Sequence, residues 1–367
     1  MLHGLWAITY KEVLQVRRDP ATRFVFLIPV FQTIIFGFAI DMDIQHIRTI
    51  VYDMDRGAES RRLVERFVNT GSFNVIAEAD SEAAVRRAII AGRAKVGLII
   101  PPDYSAKRLR GEQATAQMLV DGSDSTVANS AVQTSRAVGQ VETALRSRTG
   151  PDEPTVDVRP RVLFNPDLLS ANFYVPGLIG IILQIVTMML TAFAIVRERE
   201  RGTLEQLVVT PVSRAALILG KLIPYAVIGM LQTVFVLLLM RHVFEVHIQG
   251  DVVLLLALST LFLLPALSMG ILISTVAHNQ AQAMQMSILI ILPSVLLSGF
   301  AFPRETMPLP IYAISCVIPV TYYVQILRGV ILRGAGLWAL WPQTLALAGF
   351  AAGLVIASAA RFQKRIA

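Results

Sequence analysis

The chain has 367 residues, 54% of them apolar and only 16% charged, with a mean hydropathy of +0.59 and a formal net charge of +7. Soluble domains carry about 25% charged residues, so a soluble enzyme, a disordered chain and a secreted disulfide scaffold are excluded as descriptions of the whole. The lone cysteine, Cys316, has no intrachain disulfide partner and reads as small apolar filler.

The basic excess is localised. Residues 41–173 hold 17 Lys/Arg and 18 Asp/Glu, while the remaining segments hold 16 and 8. Cations therefore flank the apolar blocks, which is the pattern of membrane orientation and not of a nucleic-acid surface. No Asp, Glu, Lys or Arg occurs from Val252 to Pro303 or from Leu337 to Ala360. Apolar stretches of about 20 residues span a bilayer core of about 30 Å as helices.

In chain order, residues 1–22 contain an amphipathic helix over 2–18, with Leu2, Leu5, Trp6, Val13 and Val16 near one face. It suits an interfacial helix or a plain leader. A first span follows over 23–40; no small-x-small cleavage site follows it, so it reads as an uncleaved anchor. Residues 41–173 form a water-soluble α/β insert, with strands expected over 47–52, 74–77, 96–100 and 116–120. Helices are expected over 60–67, 81–91 (Ser81 as N-cap) and 128–147, and a linker over the Pro/Asp/Glu-rich 149–160. Further spans are expected over 174–196, 222–240, 252–276, 284–299 and 337–360. The stretch 311–325 is short for a span and broken by Pro319, so 300–336 is expected to be a re-entrant or surface-lying hairpin.

Six spans put both termini on one side. Twelve Lys/Arg then lie in the short segments on the terminal side and four, Arg241, Arg304, Arg328 and Arg333, on the other. The bias predicts cytoplasmic termini with residues 41–173 outside. The fold class expected is an all-α polytopic membrane protein with an inserted, extracytoplasmic α/β domain.

Motifs for chemistry are sparse. There is no G-x-x-x-x-G-K-[ST] to cradle nucleotide phosphates, and Gly220-Lys221 is followed by Leu222. No zinc-ligand spacing occurs, and Asp53–Gly57 resembles a calcium loop whose required Glu is Val64 here. No metal or catalytic residue is expected. The spans hold almost no ionisable residues, which argues against an intramembrane proton relay and points to a motor on another chain. That leaves an ion-coupled secondary transporter, or a membrane-anchored sensor using 41–173 as receptor, as the weaker alternatives.

Two patterns stand out. Gly177, Gly180, Gln184, Thr187 and Thr191 form a stripe of small and polar residues at helical spacing, suited either to a dimer seam or substrate path or to ordinary helix packing. The loop 197–221 opens with Arg197-Glu198-Arg199-Glu200-Arg201-Gly202-Thr203, continues through Glu205 and Leu207, and reaches Thr210-Pro211. Gly202 allows a turn and Thr203 can cap a short helix that Pro211 limits. Such a helix suits docking onto a soluble partner; the same residues also suit a solvated juxtamembrane loop.

With Ser298–Pro303, Met307-Pro308, Ile318–Tyr323, Arg328-Gly329 and Arg333-Gly334, the loop makes the chain resemble the ABC-2 family of ABC-transporter permeases, in its bacterial exporter branch with a large periplasmic insert. The resemblance covers 174–367 and implies a six-span, type V exporter-like fold in the bacterial inner membrane. It implies a second permease, identical or paralogous, and a separate ATPase subunit carrying ATP-Mg, with no cofactor on this chain. It places ATPase coupling on Arg197–Pro211, a dimer interface on the second and fifth spans, and an outer hairpin marked by Pro303, Pro308, Pro319, Tyr322 and Arg328. A hydrophobic, drug-like or lipid-like cargo, a periplasmic adaptor and contact with membrane lipid complete the expectation.

Overall fold

A computed structural model describes residues 44–144, 156–202, 214–304 and 307–363. The N-terminal helix and first span expected from the sequence lie outside them, as do the C-terminal residues 364–367 and the loop residues Thr203, Glu205, Leu207, Thr210 and Pro211.

The insert is a five-stranded sheet of order β2-β1-β3-β4-β5, formed by β1 (Ile47–Asp53), β2 (Phe73–Glu78), β3 (Val96–Ile100), β4 (Ala114–Asp121) and β5 (Val156–Leu163). Parallel pairing joins β1 to β2 and β3, and β4 to β5; β3 and β4 are antiparallel. Every residue of the central strand β3, Val-Gly-Leu-Ile-Ile, is buried, as expected for a strand covered on both faces. The period of two sorts the side chains. Ile47, Val51, Leu98, Met118, Val120 and Val158 pack with α1 (Ala58–Asn69), α3 (Tyr104–Arg110) and α4 (Ser125–Ala144). Ile50, Ile99 and Leu119 face Val85, Ala88 and Ile89 of α2 (Glu82–Ile90). The Ser81 hydroxyl accepts the Ala84 N–H and caps α2.

Strand β5 is a correction to the linker expected over 149–160. Its Val156 and Val158 face the core while Pro160 pairs with Met118. Because β5 is the edge strand, the missing Pro160 N–H costs no ladder bond on the open side.

After the sheet domain the described elements are helices: α5 (Ser170–Glu200), α6 (Arg214–His242), α7 (Val252–Val276), α8 (Gln280–Leu297), α9 (Leu309–Ser315), α10 (Pro319–Ile331) and α11 (Trp341–Gln363). Five of these, among the described residues, are long and apolar enough to cross a membrane, and the pair α9–α10 is bent by 82° at its break. Helix α5 overruns its expected span at both ends; its 31 residues reach about 46 Å at 1.5 Å per residue. It packs on α6, α7, α8 and α10 and forms the centre of the bundle. Leu231 and Phe235 of α6 and Ile356 of α11 are 66%, 60% and 68% exposed, an apolar outer surface suited to lipid. Pro176, Pro224, Pro265 and Pro293 lie within helices, which membrane bundles tolerate because neighbouring groups satisfy the freed carbonyls.

Candidate functional site

Three clusters account for the described residues among those singled out in the sequence. The first is the charged end of α5. The Arg199 guanidinium donates to the carbonyls of Ser274 (2.7 Å) and Ala277 (2.9 Å) at the C-terminus of α7. The Glu200 carboxylate accepts from the Gln280 backbone N–H (2.9 Å) and side-chain amide (2.7 Å) at the N-terminus of α8. A cation thus meets the negative end of one helix dipole and an anion the positive end of the next. Asn279 caps α8 by accepting the Gln282 N–H at 2.7 Å. Arg197 and Glu200 are exposed, Glu198 is half-buried, and Gly202 turns the chain with φ +69°. Neighbouring charges of the alternating run therefore clamp the α7–α8 turn of the same chain.

The second cluster is the stripe on α5. Gly177 faces the Phe300 ring, where an added Cβ would sit 2.7 Å from Cδ2, and Gly180 faces Tyr323, Leu327 and Val324. Gln184 donates to Ser294 Oγ of α8 at 3.1 Å. Thr187 lies against Gly229 of α6, and Thr191 against Gly270 of α7. All five are buried within the single chain. The stripe is the surface on which α6, α7, α8 and α10 close onto α5, so ordinary helix packing already uses it. The buried Gln184 Oε1 and Thr187 Oγ1 have no hydrogen-bond partner.

The third cluster is at the other end of α5. Arg328 of α10 donates to the carbonyls of Gly299 (2.8 Å), Phe300 (3.3 Å) and Phe173 (3.3 Å), and lies 3.8 Å over the Phe173 ring. It thereby ties the end of α8, the start of α5 and α10 together. Pro319 opens α10 at a position that needs no N–H, and Pro308 stands before α9 in the same way. Pro303 is buried, and the Tyr322 hydroxyl donates to the Cys316 carbonyl at 2.8 Å. Tyr323 stacks on Phe262 (4.2 Å) and bonds Ser259 Oγ at 2.7 Å.

Sequence reasoning missed the bridge joining this end to the sheet domain. Asp121, at the end of β4 and fully buried, accepts from Lys95 at 3.2 Å and lies 3.6 Å from the Arg333 guanidinium beyond α10. Burial alone would raise its carboxyl; Lys95, Arg333 and the Ser123 hydrogen bonds outweigh burial and hold it below the usual carboxylate range. Gly92, at φ +69°, brings its backbone so close that a Cβ would meet Arg333 Nη1 at 2.6 Å. The one available signal was Arg333 itself, a cation in an apolar stretch; its partner is 212 positions away. Among the described residues no group of three His, Cys, Asp or Glu side chains could hold a metal ion.

The family model described as "ABC-2 family transporter protein" matches residues 20–360. The chain is 34% identical over 335 residues to the probable multidrug ABC transporter permease YbhS of Escherichia coli, covering 89% of this chain and 88% of that one. It is 28% identical over 369 residues to the probable multidrug ABC transporter permease YbhR of the same organism, over 100% of both chains. It is 30% identical to the inner membrane transport permease YhhJ of E. coli, over 86% of this chain and 85% of that one.

Proposed function

The chain belongs to the ABC-2 transporter family, a family of multi-pass permeases, and from that premise we propose that it is the membrane subunit of an ATP-driven exporter. Its ATP-Mg is bound and hydrolysed on a separate ATPase subunit, and it works beside a second permease. Its cargo is a hydrophobic, drug-like or lipid-like compound taken from the cytoplasm or the inner membrane, in line with the "multidrug" in the names of YbhS and YbhR. In this reading the termini and the elbow after α5 are cytoplasmic, the sheet domain is periplasmic and available to an adaptor, and α9–α10 is an outer re-entrant hairpin.

The observation that carries the proposal is the double clamp of Arg199 and Glu200 on the α7–α8 turn. An ATPase that pulls on the loop beginning at Gly202 would move the end of α5 together with the ends of α7 and α8. Three helices would then respond to one docking event, which suits a conduit driven from outside the membrane.

The test is to co-purify the chain with candidate ATPases and measure vanadate-sensitive hydrolysis. Arg199→Ala and Glu200→Ala are expected to leave the complex assembled and to lower the permease-stimulated hydrolysis. If both variants stimulate hydrolysis as the wild type does, the clamp does not couple. Transport driven by a proton gradient in liposomes without any ATPase would replace the whole reading by a secondary transporter.

A further inference from the structure

A cavity of about 600 Å³ lies between the sheet domain and the chain from the end of α8 to α10 and just beyond. Its lining is rich in cations. Arg48 and Lys95 reach it from the sheet domain, and Arg304, Arg328 and Arg333 from the segment after α8. Among the described residues Asp124 is the one carboxylate lining it, and its Oδ1 is occupied capping α4 through the N–H groups of Thr126 and Val127. Asp121, behind the wall, is shared by Lys95 and Arg333. One buried carboxylate is thus shared between two of the cations.

Arg333 is 9% exposed, and its Nε is buried with no hydrogen-bond partner. Arg304 Nε is likewise buried and unpartnered; the rest of that guanidinium reaches Cys316 Sγ (3.1 Å) and lies 4.6 Å over the Tyr312 ring. Neither a thiol nor a ring neutralises a guanidinium. Buried cations with open N–H groups are costly unless an anion completes them, and a guanidinium offers a planar fork that fits phosphoryl or carboxylate oxygens. The same lining carries apolar side chains, Met307, Leu309 and Val324, next to these arginines.

We propose that this cavity is a binding site for the anionic headgroup, phosphoryl or carboxylate, of an amphiphile: the headgroup meets Arg333 and Arg304, and the apolar body lies along Met307, Leu309 and Val324. The site does not depend on what the chain transports. Arg304, Arg328 and Arg333 come from the segment after α8, and Lys95 and Arg48 from the sheet domain, so a bound anion would bridge the two parts beside the Asp121 contact.

The experiment uses the full chain in detergent and measures retention of phosphatidylglycerol and of phosphatidylcholine by native mass spectrometry, with inorganic phosphate as a competitor. Wild type is expected to hold phosphatidylglycerol about tenfold more tightly than phosphatidylcholine, and Arg333→Gln to abolish the difference. Asn74→Asp adds a carboxylate to the lining at an exposed position without touching the Asp121 bridge. It is expected to weaken phosphatidylglycerol severalfold and keeps the test valid should Arg333→Gln fold poorly. Arg86→Gln, on the outer surface of α2 and outside the cavity, is expected to change nothing. Binding that is weakened by added salt and by phosphate supports the site. Phosphate that binds with the same dependence on Arg333 and Asn74, while phosphatidylglycerol does not, assigns the site to a free anion instead of a lipid. Equal retention of both lipids without phosphate binding, or a phosphatidylglycerol preference unchanged in both Arg333→Gln and Asn74→Asp, overturns the proposal.

Discussion

At the scale of single residues, Arg199 carries the sharpest expectation. Its guanidinium donates to two carbonyls, of Ser274 and Ala277, that end α7. Removing the donor leaves those carbonyls without their charged partner, a loss of about 1.5–3 kcal/mol for hydrogen bonds to a charged group. Arg199→Ala should therefore lower the thermal midpoint of the purified chain by a few degrees. Arg199→Lys should fall between, because an ammonium keeps the charge but ends short of the position from which Nη1 reaches both carbonyls. Identical melting of all three proteins would remove the clamp from the account. The alternating charges at 197–201 are plain in the sequence, and so is the turn at Gly202. That two of them close on the same chain is not, because the groups they meet lie 75 to 80 positions further on.

At the scale of elements, the α5–α7 contact is set by glycine. A Cβ on Gly270 would stand 2.6 Å from the Met188 carbonyl and 2.7 Å from Thr191 Cβ, and neither a helix carbonyl nor a β-branched carbon can swing aside. Gly270→Ala gains helix propensity yet should destabilise the bundle, since overpacking a close-fitting contact costs about 1–3 kcal/mol. The measurement is the melting temperature in detergent beside that of Gly349→Ala, where open space would receive the new methyl; a Gly270→Ala midpoint equal to or above that control would show that the helices simply move apart. The strands and helices of the insert were largely readable because alternation and the Ser81 cap are local signals. Strand β5 was not, since Pro160 and the surrounding acids hide the Val156, Val158, Val162 alternation, and only its pairing with β4 makes it a strand. Helix α3 was also missed: its seven residues follow Pro101-Pro102 and are rich in Lys and Arg, with Tyr104 and Arg108 buried. Arg108 is held there by Glu142 at 2.7 Å, a long-range ion pair with no local signature.

At the scale of the whole molecule, the question is what fastens the sheet domain to the helical bundle. The Asp121 carboxylate sits between Lys95 of the same domain and Arg333 just beyond α10. Neutralising it leaves a buried Arg333 and a half-buried Lys95 uncompensated, so Asp121→Asn should cost about 3 kcal/mol, read as lost amide-exchange protection around Gly92 and Ile331 and as a lower melting point. If the carboxylate acts through Arg333, then Asp121→Asn combined with Arg333→Gln should cost less than the two single changes added, by about 1 kcal/mol or more. Acid supplies the same test without a mutation. The folded carboxyl is held below its ordinary value, which is about 3.9 in an unfolded chain. A group depressed in this way stabilises the fold at every pH above the unfolded value and loses that contribution as pH falls from about 4 through the folded value. Protection at the junction should therefore persist from neutral pH down to about 4 and collapse below it in the wild type. In Asp121→Asn that step should be absent, because no proton is left to bind. A collapse at the same pH in both proteins would assign the acid sensitivity to other carboxylates and leave the docking of the domain to packing alone.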